Sequence, residues 1–235
     1  MPVKIFGQSD NFLLEGGGRS FHLTVDCSMQ LERYNSNRPV LKSDDELLSG
    51  LVSAHTDQSL AEWIDALNRK YGLQRRPVFI GKKFAPFLAP CLAGIRRTPE
   101  ATRDSIDEIC RTFERYRSEF SKDLKRRKES PLPDISLSKL LHFINPKSFW
   151  ILDSRVETVI GFWGYTPRYE GFGKLLSHLF NDPEIDGFRA FLEKRDKEPV
   201  GQQGASHLPV SFLKLLDKVL WFTNDNDGQL TRSMS

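Results

Sequence analysis

The dipeptide Asn145-Pro146 divides the most strongly patterned stretch of the chain, Pro131 to Trp163, and limits what can form on either side of it. Proline lacks an N–H and disfavours helical geometry in the residue before it, so a helix must stop there. Upstream, Leu137, Leu140, Leu141 and Ile144 recur at the spacing of one buried stripe on a helix over Ser136 to Ile144. Ser136 is placed to cap that helix, after a Pro133 that keeps the preceding chain extended. Downstream, Phe149-Trp150-Ile151-Leu152 ends abruptly in Asp153-Ser154-Arg155. An acid directly after such an apolar run sits at the lip of a core. It can cap a helix beginning at Ser154 and project into a cleft there.

The same helical period runs through most of the chain. Ser43 to Glu46 reads as a cap before a stripe of Leu47, Leu48, Leu51 and Val52. Ser59 to Tyr71 carries Leu60, Trp63, Ile64 and Leu67, with Gly72 as a stop. Phe84 to Ile95 is apolar but broken by Pro86 and Pro90. Thr98-Pro99-Glu100 predicts the start of a long helix whose stripe is Ile106, Ile109, Cys110, Phe113, Tyr116, Phe120 and Leu124. Tyr169 to Leu179, Glu184 to Lys194 and Pro209 to Phe222 complete the helical set. Only the first forty or so residues differ, with short β-type runs at Val3 to Phe6, Phe12 to Leu14 and Phe21 to Val25 between glycine-bearing turns. The expected fold is mainly α, with a small N-terminal antiparallel β element over 1–42, one helical domain over 43–222 and a flexible tail over 223–235.

Several chemistries have little support in these residues. The three cysteines, Cys27, Cys91 and Cys110, show no CxxC spacing, and the five histidines show no HxH or HExxH, so neither a metal nor another cofactor is expected. Gly16-Gly17-Gly18 is not followed by the helix and Lys-Ser/Thr of a phosphate loop and reads as a hairpin turn. No apolar run is long enough to span a membrane and no apolar leader opens the chain, which points to a cytoplasmic protein. A formal charge of +3 permits nucleic-acid binding without demanding it. The charge is locally concentrated, however. Lys122, Lys125, Arg126, Arg127 and Lys128 form the densest basic cluster, either as a solvated helix end or as a phosphate-contacting patch.

The arrangement around Asn145-Pro146 resembles the core of the helix-hairpin-helix DNA glycosylase superfamily. Leu132-Pro133-Asp134-Ile135-Ser136-Leu137-Ser138-Lys139 parallels the hairpin, with Asp134 and Ser136 where the family has glycines, and Trp150-Ile151-Leu152-Asp153-Ser154-Arg155-Val156 parallels the segment that carries the family's aspartate. The stretch is also similar to a group of bacterial proteins sharing the pattern SKxLHFxxPxxFPIxDxRV. The glycosylase resemblance implies a helical bundle that binds DNA, expected to be double-stranded, and removes a modified or damaged base. It implies Asp153 as the catalytic acid and Lys139 as a possible nucleophile. His142, Trp150, Arg155 and Trp163 would contact an extruded base, and Ser136 and Ser138 would join the basic cluster on DNA. The iron–sulfur cluster of some family members is excluded by the cysteine count. Two other classes stay open. One is a non-catalytic DNA-binding module; the other is a protein-interaction or defence-accessory module in which Asp153 and Arg155 form a structural ion pair.

Overall fold

Helical periodicity becomes helix almost throughout the computed structural model, which describes residues 11–16, 21–26, 41–71, 81–128, 133–162, 166, 168–197 and 211–223. Two strands, β1 (Asn11–Gly16) and β2 (Phe21–Asp26), pair antiparallel with Asn11 opposite Asp26 and Gly16 opposite Phe21. The rest is mainly α. The expected strand at Val3 to Phe6, the stop at Gly72, the aromatic Trp163 and the tail beyond Thr223 all lie outside the described residues. The chain divides into two compact units. The first comprises Lys42–Ala101 and Asp107–Ile151, and the second Met1–Leu41, Thr102–Ile106 and Leu152–Ser235.

In the first unit, α1 (Leu41–Ser53) and α2 (Asp57–Tyr71) come into contact at Gly50, where a Cβ would lie 2.0 Å from the Trp63 ring. That contact turns the α1 stripe. Leu47, Gly50, Leu51 and Ala54 face inward, whereas Val52, expected inside, is 45% exposed. The helix α3 (Gly81–Leu88) packs on α2 through Gly81, where a Cβ would meet the Ala61 carbonyl. The two prolines break this region as expected. Pro86 lies within α3, and Pro90 sits in a single 3-10 turn (Ala89–Cys91) that leads into the short α4 (Leu92–Arg96).

The long α5 spans Ile106–Arg126 rather than starting at Pro99. Residues 98–101 are held instead by partners distant in sequence. The Thr98 carbonyl accepts from Asn145 Nδ2 at 3.1 Å and Ser148 Oγ at 2.8 Å, and the Ala101 N–H donates to Lys147 at 2.9 Å. The start of α5 is set locally, with Thr102 N–H on Ser105 Oγ at 2.8 Å. Its buried stripe is the expected one, although Cys110 remains half-buried.

The helix α6 (Asp134–Ile144) begins two residues before the expected cap. Pro133, at φ −63 and ψ 144, has the extended geometry of an N-cap, and its carbonyl accepts the Ser136 and Leu137 N–H groups. Ser136 therefore lies inside the first turn, where it caps nothing. Asn145 ends the helix as predicted, at φ −141.

In the second unit, α7 (Ser154–Phe162) and α9 (Ile185–Lys197) each pack on α10 (Phe212–Thr223), and α8 (Tyr169–Phe180) packs on α7. Phe212 makes edge and tilted ring contacts with Phe188 and Phe180, each at 5.9 Å. From Phe212 to Leu220 every residue of α10 is buried, including three charged ones. Their charges are paired, Lys214 with Asp217 at 2.7 Å and Lys218 with Asp196 of α9 at 2.5 Å. Buried charges require such partners, because desolvating an isolated one is very costly.

Candidate nucleic-acid interface

The basic cluster is the end of an amphipathic helix whose apolar face is already committed to the core. Phe120 and Leu124 are buried, so Lys122, Lys125 and Arg126 fall on the opposite, exposed face. The helix terminates where the Arg127 N–H donates to Asp123 and Leu124 carbonyls and Lys128 takes a left-handed φ of 58. Cations suit this terminus because the last carbonyls carry partial negative charge. Arg126 also meets Asp123 at 3.3 Å, an exposed pair of small energetic weight.

A second segment joins the cluster from 44 residues away in sequence. The Phe84 ring of α3 packs edge-on to Phe120 of α5 at 5.2 Å, which brings the first turn of α3 to the end of α5. The Arg127 guanidinium lies over the Phe87 ring at 3.8 Å and donates to the Lys83 carbonyl at 3.5 Å. Lys82 and Lys83 are exposed in this turn. These two lysines lie outside the basic cluster legible in the sequence. The aromatic at position 84, one residue after them and on the helical face that meets Phe120, was the available signal. The contact brings the exposed Lys82 and Lys83 of α3 beside Arg127 at the end of α5, while Lys122, Lys125 and Arg126 lie on the opposite, exposed face of the same helix end.

The other predicted residues of the first unit are inside. Lys139 is 6% exposed, with its ammonium 5.0 Å from the centre of the Tyr71 ring, and Tyr71 also touches Phe143. His142 is fully buried, and its Nδ1 lies 2.6 Å from the Phe149 carbonyl. A carbonyl only accepts, so Nδ1 carries a proton, and the bond pins the chain that follows the Asn145-Pro146 turn. Ser136 and Ser138 are buried, with Ser138 Oγ donating to Ile135, so neither hydroxyl offers surface to a phosphate. Trp150 is fully buried and contributes to the core rather than to an exposed stacking face. Burial, aided by the negative field of Glu119, pushes the Cys91 thiol above its ordinary range, which opposes any role as an activated nucleophile.

Asp153 and Arg155 belong to the second unit. Asp153 is half-buried and caps α7 as predicted, with Oδ1 accepting the Arg155 N–H at 3.1 Å and its carbonyl accepting from Glu157 at 2.8 Å. The Arg155 guanidinium lies over the Trp221 ring at 4.0 Å. Among the described residues, no group of three or more His, Cys, Asp or Glu could hold a metal ion, and no helix is long and apolar enough to cross a membrane. In chemical terms the exposed face of the first unit can hold polyanions, while Asp153 is the one predicted catalytic group that is not buried. No protein-family model matches the chain, and no curated protein or solved structure does either.

Proposed function

We propose that this protein is DNA-associated and grips the phosphate backbone through the joint surface of α3 and the end of α5, on a glycosylase-like helical core. The observation that carries the reading is the meeting of exposed cations from two helices, Lys82 and Lys83 of α3 with Arg127 of α5, next to the exposed run of Lys122, Lys125, Arg126 and Lys128. Support for the glycosylase-like core comes from chain order: α6, the proline-closed turn, the buried apolar run, Asp153 as cap and then α7. The paired strands β1 and β2 support an N-terminal β element.

Anisotropy of a labelled duplex tests the reading directly. Each neutralised phosphate contributes a slope of roughly −0.9 to log K against log salt, so about four contacts predict an approximately hundredfold weakening between about 50 and 200 mM salt. Arg126→Glu together with Arg127→Glu should weaken binding at every salt and flatten that slope. Absence of duplex binding at low salt refutes the proposal.

A second reading, removal of a modified base, is favoured by the half-buried Asp153 at the head of α7. As the N-glycosidic bond breaks, positive charge builds on the sugar and a carboxylate stabilises it; water then adds at C1′ and the base leaves protonated. Asp153→Asn should abolish base release while the protein stays folded, and a lesion panel that yields no free base from the unsubstituted protein ends this reading. The nucleophile role implied for Lys139 requires its amine to leave the Tyr71 ring, and borohydride trapping on abasic DNA tests it.

A further inference from the structure

Within the basic surface one residue is held unlike the rest. A lysine ammonium is a point charge on a flexible stem, which suits phosphates of any orientation. Arg127 instead presents a flat guanidinium lying 3.8 Å from the centre of the Phe87 ring, with Nη1 directed at the Lys83 carbonyl. These two contacts restrict the tilt and rotation of the plane. The residue is nonetheless exposed, and Phe87 is only half-buried, so the plane is fixed at the surface and not absorbed into the core. With Phe87 on one side of the exposed guanidinium, its other side is where a second flat group would stack. Lys125 and Lys128, two residues before it in the last turn and next in the chain, are exposed as well.

A fixed, charged plane flanked by mobile cations has the two parts needed to hold an unpaired nucleotide. Bases stack on guanidinium planes as well as on aromatic rings, while neighbouring lysines take the backbone charge. Bases within a duplex are already stacked on one another and cannot use such a plane. We propose that the Arg127–Phe87 stack is a platform for an unpaired base, so that the surface prefers single-stranded DNA, or duplex with a locally unpaired nucleotide, to intact duplex. The inference rests on the phosphate-binding reading above and names the form of DNA that the same surface takes.

The test compares labelled single-stranded and fully paired oligonucleotides of equal length, at matched salt, with the full chain and three variants. Arg127→Lys keeps the charge and removes the plane; Phe87→Leu keeps an apolar support and removes the ring; Lys125→Gln removes charge and spares the stack. The expected result is tighter binding of the single strand, a loss of about tenfold or more for that strand on Arg127→Lys, and little change for the duplex. Phe87→Leu should act in the same direction, whereas Lys125→Gln should weaken both forms alike. A single duplex mismatch should recover part of the single-strand advantage, and Arg127→Lys should remove that gain. Equal loss from both forms on Arg127→Lys, or no preference in the unsubstituted protein, overturns the platform and leaves the phosphate reading intact. No binding of either form at low salt overturns both. Circular dichroism of each variant, expected to match the parent, separates these outcomes from misfolding.

Discussion

Asn145 offers a sharp test of how the first unit is held together. Its side chain faces three carbonyls at the end of α4: Ile95 at 3.0 Å, Thr98 at 3.1 Å and Arg96 at 3.4 Å. Since carbonyls only accept, the group facing them must be the amide nitrogen, whose two hydrogens serve three acceptors. Replacing Asn145 by Ala removes about two net hydrogen bonds and leaves part-buried carbonyls short of donors, a cost of about 2–3 kcal/mol. In a protein of this size that lowers Tm by roughly 5–10 °C. Asn145→Asp should cost more, because a carboxylate would face three carbonyls and the negative end of a helix. The difference has a defined pH dependence. The folded state disfavours the ionised form, so the folded pKa of the new Asp rises above its ordinary ~3.9. A raised folded pKa means that stability is present below the unfolded value and is lost as pH rises through the folded one. Urea denaturation of the Ala and Asp variants from about pH 3.5 to 7 separates this from the background acid response of the protein. The Asp variant should approach Ala at the acid end and fall below it towards neutrality. Parallel curves, or an Asp variant as stable as Ala at neutral pH, would show that the nitrogen does not face these carbonyls.

Two further measurements probe packing and buried charge. Alanine at Gly50 would place its Cβ within 2.0 Å of the Trp63 ring, whereas at Gly161 nothing lies within 4 Å, so the same substitution should have opposite signs. Thermal denaturation should show a loss of about 1–3 kcal/mol at Gly50 from overpacking and a gain of about 0.5–1 kcal/mol at Gly161 from helix propensity. For the Lys218–Asp196 pair, Asp196→Asn or Lys218→Met alone strands a charge that is almost fully buried and should cost about 3–5 kcal/mol. The double substitution should recover most of that in a double-mutant cycle, and additive losses would mean that the two charges are not a pair.

What the sequence discloses about this chain follows from which forces are local. A stripe such as Ile109, Phe113, Tyr116, Phe120 and Leu124 is written in one helical period, and all five side chains are buried. The stop at Asn145-Pro146 and the cap at Asp153 are equally local, since steric exclusion by proline and the reach of an Asx side chain involve neighbours only. What keeps a helix from starting at Thr98 is not local. Thr98-Pro99-Glu100 has the composition of a helix start, yet the Thr98 carbonyl and the Ala101 N–H are taken by Asn145, Ser148 and Lys147, some fifty residues on. Periodicity likewise identifies one buried face of α6 but says nothing of what covers the others. Lys139 and His142, which the resemblance would place at a substrate, are buried, with Tyr71 over one and the Phe149 carbonyl holding the other. The interface shows the same division. Its half on α5 is a run of like charges visible in any scan of the chain. Its half on α3 exists only because Phe84 meets Phe120, and the plane of Arg127 is fixed only because Phe87 lies beneath it. Charge is thus legible from sequence where it clusters along the chain. The geometry that turns charge into recognition depends on packing between elements, and that is where the discriminating experiments on Arg127 and Phe87 apply.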